Sequence, residues 1–97
     1  MIVEISVISF TSESQSEYVA EVLKILKEKG IKFELNPMGT VIEIENFYIL
    51  SEILEEVVER LEKKGVPRIY FNIKIDWRKK KGSMEEKVKS VLEKINS

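Results

Sequence analysis

Apolar residues in this chain recur at two different periods, and each switch of period marks an element. Val3, Ile5 and Val7 alternate with Glu4 and Ser6, which predicts a strand over residues 2–10. The polar run Thr11-Ser12-Glu13-Ser14-Gln15-Ser16 follows, where a serine can cap a helix by accepting a bond from a free backbone N–H. Tyr18, Val19, Val22, Leu23 and Leu26 then repeat at helical spacing, and Lys27-Glu28-Lys29-Gly30 closes that helix, with Gly30 as its stop. Ile31, Phe33 and Leu35 alternate again, Pro37-Met38-Gly39 is a turn, and Thr40, Ile42 and Ile44 alternate with Val41, Glu43 and Glu45. The two alternating runs are close enough to form a hairpin.

The helical period returns at Ile49, Leu50, Ile53, Leu54, Val57, Val58 and Leu61 and stops at Lys63-Lys64-Gly65, with Pro67 just beyond. Ile69, Phe71, Ile73, Ile75 and Trp77 make a long, strictly alternating strand that runs into the basic loop Arg78-Lys79-Lys80-Lys81-Gly82. Ser83 can cap a last helix, with Glu86 as its capping-box partner and Met84, Val88, Val91, Leu92 and Ile95 as its apolar stripe. The order β-α-β-β-α-β plus one helix predicts an α+β, ferredoxin-like fold. A four-stranded antiparallel sheet is covered by helices on one face, with an additional C-terminal helix.

The 97 residues fit one domain, residues 1–97, with neither linker nor low-complexity segment. Alternation assigns Val3, Ile5, Val7, Phe33, Leu35, Ile42, Ile44, Phe71, Ile73 and Ile75 to the helix-covered face. The other face carries Glu4, Ser6, Ile8, Lys32, Glu34, Val41, Glu43, Tyr70, Asn72, Lys74 and Asp76. That mixture suits a solvated face, or a sheet-to-sheet contact holding polar groups around a small molecule.

Composition narrows the chemistry. Cysteine and histidine are both absent, which excludes disulfides, thiolate metal sites, a cysteine nucleophile and a Ser-His-Asp triad. A metal chaperone of this fold is excluded on the same ground. An acyl-phosphate hydrolase would need a glycine-rich, arginine-bearing loop after the first strand, and Thr11-Ser12-Glu13-Ser14 offers neither residue. An RNA-recognition domain would stack bases on aromatics of its central strands, where the last strand offers Tyr70, Asn72 and Lys74. With a net charge of only −1, nucleic acid is not an expected partner. The charge is nevertheless uneven, −6 over residues 1–67 and +5 over residues 68–97, which could steer self-association. Neither a signal peptide nor a membrane span is expected, so the default location is the cytoplasm. Abundant Glu and Lys with few amides hints at a thermophile.

Two segments place polar groups at strand ends, Asn36-Pro37-Met38-Gly39-Thr40-Val41-Ile42-Glu43 and Lys74-Ile75-Asp76-Trp77-Arg78. Pro37-Met38-Gly39-Thr40 with Glu43 resembles the hairpin motif of the small thiamine-binding-protein family, ferredoxin-like proteins long uncharacterised. Lys74-Ile75-Asp76-Trp77-Arg78 resembles that family's final-strand motif, Lys87-Val88 matches a recurrent pair in its last helix, and Ser16-Glu17-Tyr18-Val19 resembles the start of its first helix. The likeness runs from Ile2 to about Ile95. Where the family often has a Pro-x-Gly turn after the first strand, this chain has Ser9-Phe10-Thr11, and that strand end helps form the family's ligand site.

The resemblance implies a homotetramer, or dimer of dimers, built through sheets. It also implies binding of thiamine or its hydroxymethylpyrimidine part as a carrier or sensor, with no catalysis and no cofactor. Such a ligand needs hydrogen-bonding groups at the pyrimidine edge, an apolar or aromatic wall and negative potential near the thiazolium. The candidate ligand residues are Ser9, Phe10, Thr11, Thr40, Glu43, Asn72 and Asp76. Each also has a plainer role: helix entry for Ser9 and Thr11, core closure for Phe10, strand propensity for Thr40, an ion pair with Lys74 for Glu43, and a bond to Arg78 or a turn for Asp76. Asn72 stands out because asparagine is disfavoured in mid-strand. A structural or regulatory oligomer that binds no metabolite is the other reading of the same pattern.

Overall fold

The computed structural model describes residues 1–11, 15–79 and 83–96. Seven elements follow in the expected order: β1 (Ile2–Ser9), α1 (Gln15–Glu28), β2 (Lys32–Asn36), β3 (Gly39–Glu43), α2 (Phe47–Lys63), β4 (Ile69–Asp76) and α3 (Met84–Ile95). The sheet order is β2-β3-β1-β4 and every pairing is antiparallel, which is the ferredoxin-like arrangement.

Local chemistry sets the boundaries. Gly30 and Gly65 adopt positive φ of 67° and 85°, and each ends a helix with paired bonds. Gly30 N–H donates to Lys27 O and Ile31 N–H to Leu26 O; Gly65 and Val66 do the same to Glu62 and Leu61. These are Schellman stops, in which left-handed glycine lets the chain turn back and satisfy the last carbonyls. The capping box at α3 is present in full: the Ser83 hydroxyl accepts from Glu86 N–H, and the Glu86 carboxylate accepts from Ser83 N–H. α2 starts two residues before the first apolar position of its stripe because Asn46 caps it, accepting from Ile49 N–H. β3 and β4 stop at Glu43 and Asp76, short of Glu45 and Trp77. The serine cap expected for α1 falls on residues 12–14 and most of the basic run on residues 80–82, outside the described residues.

The core lies between α1, α2 and one sheet face. Val3, Ile5 and Ile42 meet Val22, Ile25 and Leu26 from α1 and Ile53, Val57 and Leu61 from α2, all almost completely buried. Arg60 ties the two helices together, reaching Glu21, Glu28 and Glu56. Leu35 and Ile75, assigned by alternation to the covered face, are 55% and 45% exposed. Both lie near the ends of the outer strands, where the correct face is no longer beneath a helix.

α3 takes the opposite face. Its first turn is held by side chains that the register places there: Glu43 accepts from Met84 N–H, Lys32 pairs with Glu85 at 2.6 Å, and Asp76 receives Lys87. Met84 is buried, while every later residue of the helix through Asn96 is exposed.

Candidate functional site

The two ends of the sheet are built differently. At one end, β1 outruns its partner. Its register with β3 ends at Ile5↔Thr40, whereas its register with β4 continues to Ser9↔Ile69. The β2–β3 turn fills the first part of the gap. Ser6 Oγ donates to Met38 O at 2.8 Å, pulling the turn onto the strand. Gly39 makes that approach possible, because a Cβ there would stand 2.9 Å from Ser6 Oγ and 3.1 Å from Ile5 O. Farther along, the side-chain amide of Gln15 closes on the strand's last residue. Its Oε1 accepts from Ser9 N–H at 3.0 Å and its Nε2 donates to Ser9 O at 2.6 Å.

Between these two fastenings opens a groove of about 980 Å³. Val7, Leu35, Val19 and Leu23 give it an apolar wall, and Ser6, Ser16, Asn36, Thr40 and Asn72 give it polar groups. Tyr70 stands at its margin, 51% exposed. Among the described residues its lining includes no Asp, Glu, Lys or Arg. The volume and the apolar wall with a few polar groups suit a small organic ligand.

The other end is charged, and its carboxylates are tied down. Glu43 and Asp76 flank Ile2 in the register and are both engaged. Glu43 accepts from Met84 N–H and lies 3.6 Å from Lys32. Asp76 accepts from Lys87 and from Arg78, the latter at 3.3 Å. The Lys87 hydrogen bond, with the Arg78 bond behind it, holds the Asp76 carboxyl below its usual range. One opening beside Asp76 amounts to about 110 Å³, and a second, of about 520 Å³ and lined by Glu4, Glu34, Lys74, Asp76 and Lys87, lies between the open sheet face and α3.

The seven candidate residues therefore divide. Thr40 and Asn72 both line the groove, Thr40 buried on the helix side and Asn72 exposed beside Ser6 on the other. Ser9 is buried next to it, with its backbone in the grip of Gln15 and its hydroxyl unpartnered among the described residues. Phe10 turns to β4 instead: its N–H donates to Arg68 O, and the Arg68 guanidinium sits 4.4 Å over its ring. Thr11, half-buried, follows it on the way to α1. Glu43 and Asp76 stand at the far end, fastening α3. The expected Glu43–Lys74 pair is replaced by Lys32, which lies directly opposite Glu43 across the β2–β3 ladder. Negative potential is not supplied by the described groove lining.

Sequence reasoning passed over Ser6, Gly39 and Gln15. The first two were legible as a polar strand residue and a turn glycine, but their mutual approach depends on register. Gln15 carries no periodic signal at all. Among the described residues no group of three Asp, Glu, His or Cys is placed to hold a metal, and no described helix is long and apolar enough to cross a membrane.

Fold and groove together define a small ferredoxin-like protein with a ligand-sized opening at the hairpin end of its sheet. The chain belongs to the thiamine-binding protein family, whose model matches residues 3–92. A UPF0045 protein of Methanothermobacter thermautotrophicus is 36% identical over 85 residues, covering 87% of this chain and 86% of its own. The crystal structure of the hypothetical protein MJ1052 from Methanocaldococcus jannaschii superposes with a TM-score of 0.81 at 32% identity, covering 95% of each chain. TM0486 of Thermotoga maritima, described provisionally as a thiamine biosynthesis or salvage protein, shares the fold with a TM-score of 0.78. It is 24% identical and covers 93% of this chain and 96% of its own.

Proposed function

We propose that this protein binds thiamine, or its hydroxymethylpyrimidine portion, without transforming it, and acts as a carrier or sensor. The observation that carries the reading is the groove between the hairpin turn and α1, whose described lining holds no charged side chain and where Thr40 and Asn72 offer hydrogen bonds beside an apolar wall. Family membership supplies the ligand class. The non-enzymatic reading draws on the chain's lack of His and Cys and on the engagement of Glu43 and Asp76 as helix anchors. A thermal-shift titration tests it. Ligand at 100 times its Kd stabilises the native state by ~2.7 kcal/mol, which raises Tm by about 10 °C or more in a domain of this size. An unchanged Tm at millimolar thiamine contradicts the reading.

The working form is a homo-oligomer assembled through the sheet face that α1 and α2 leave uncovered. Ile8, Tyr70 and the α3 stripe of Val88, Val91, Leu92 and Ile95 are all at least 45% exposed, and clustered apolar exposure of this kind marks interaction surfaces. The same surface supports the second reading, an oligomer that binds no metabolite. Leu92→Asp is expected to shift the protein to a smaller species in size-exclusion chromatography with light scattering. An unchanged mass rules out α3 as part of the contact.

A further inference from the structure

We propose that the backbone of Val7 is the group that reads the ligand in this groove. Its N–H and C=O pair with a planar heterocycle that carries a hydrogen-bond donor and an acceptor flanking one ring carbon. The inference rests on the groove being the ligand site.

The peptide groups along β1 point alternately to its two neighbours. Met1 and Ile44 exchange both backbone bonds, each at 3.0 Å, so Met1 directs its polar groups toward β3. In an antiparallel ladder that direction alternates, and Val3, Ile5, Val7 and Ser9 share it. Two independent contacts confirm the parity: Ser9 directs its N–H and C=O to Gln15 on this side, and Phe10 N–H donates to Arg68 O on the other. Val3 and Ile5 are met by Ile42 and Thr40. The next position in register, opposite Val7, is Met38. It lies in the turn before β3, and its carbonyl takes the Ser6 hydroxyl. Among the described residues, then, Val7 faces the groove with a donor and an acceptor that no strand partner takes.

The gap is one residue wide, bounded by Thr40 on one side and the Gln15 amide on the other. A peptide strand cannot add there without displacing both Gln15 and the turn, whereas a single ring can enter. Gln15 shows which chemistry this edge accepts, because its amide offers one donor and one acceptor to the neighbouring residue in the manner of a strand. A 4-aminopyrimidine presents the same pair, an exocyclic N–H beside a ring nitrogen. An unmet backbone donor and acceptor in a half-buried wall discriminate strongly, since a ligand lacking either partner leaves a polar group desolvated and unpaired.

The experiment is an amide-resolved NMR titration of the full chain with 4-amino-5-hydroxymethyl-2-methylpyrimidine and, separately, with its 4-deamino analogue. The expected result is a downfield shift of the Val7 amide proton with at least tenfold slower hydrogen exchange, and at least tenfold weaker binding of the deamino compound. If the aminopyrimidine binds while Val7 is unmoved, or both compounds bind equally, the Val7 pairing is wrong and the binding function stands. If neither compound nor thiamine perturbs any resonance, the binding function itself fails, and the Val7 pairing with it.

Discussion

The two ends of this sheet have opposite construction. At the end where β1 begins, the open face is rich in charge, and three of its charged side chains are engaged: Lys32 with Glu43 and Glu85, Asp76 with Arg78 and Lys87. That end fastens a helix. At the end where β1 finishes, the described lining holds no formal charge, and the strand outruns its neighbour. That end leaves a groove. Charged groups with partners a few ångströms away are already satisfied and have little to offer a ligand. Neutral donors and acceptors in a half-buried wall without strand partners do have something to offer. In that contrast the conspicuous carboxylates, Glu43 and Asp76, anchor α3, while Thr40, Asn72 and the β1 backbone are the groups the proposed ligand would meet.

The largest expected effect comes from filling the close approach at the hairpin. Gly39→Val places a side chain against Ser6 Oγ and Ile5 O, lifts the turn from β1 and destabilises the fold by about 1–3 kcal/mol. Thiamine affinity should drop at least tenfold by calorimetry, measured at a temperature where circular dichroism shows the variant folded. Next, Asn72→Ala removes one neutral hydrogen-bonding group from an exposed position, so the free protein should melt as before. Affinity should fall about tenfold, the equivalent of roughly 1–1.5 kcal/mol for one hydrogen bond.

The sharpest contrast is the double variant Glu43→Gln, Asp76→Asn. It should release the first turn of α3, seen as faster amide exchange at Lys87 and Val88, while thiamine affinity stays within about twofold. A large loss of affinity in that variant would mean that the two ends work together. The smallest effects are those of pH. Asp76 is held below its usual pKa, first by Lys87 and then by Arg78, and Glu85 first by Lys32. A depressed carboxyl contributes its stability in full above the unfolded value and loses it as pH falls through the folded one. The attachment of α3 should therefore weaken below pH about 4. Lys32 is raised, chiefly by its bond to Glu85, so its contribution is complete at neutral pH and is lost only above pH about 10.4. Between those limits the described lining offers no charged side chain, so any pH dependence of binding should follow protonation of the ligand's own aminopyrimidine.

Much of this was legible in the sequence, because period and punctuation are local properties. The alternation of Val3, Ile5 and Val7, the glycines after each of the first two helices and the Ser83-Glu86 box each specify their element without reference to the rest of the chain. The fold class followed from their order. The site was only half legible. Thr40 and Asn72 were readable as strand residues with polar side chains, and both line the groove. Glu43 and Asp76 sat in equally suggestive motifs, but their partners Met84 and Lys87 are distant in sequence and reach them only because α3 crosses to the uncovered face. The opening itself comes from a mismatch in strand length between β1 and β3, a property of register that no single segment displays.

The most direct test of the account is a crystal structure of the protein grown with thiamine. The account expects the pyrimidine ring at the hairpin end, between Val7, Thr40 and Asn72, with α3 still anchored by Glu43 and Asp76. Thiamine bound instead against Asp76 and Arg78, with the groove beside Gly39 empty, would contradict it.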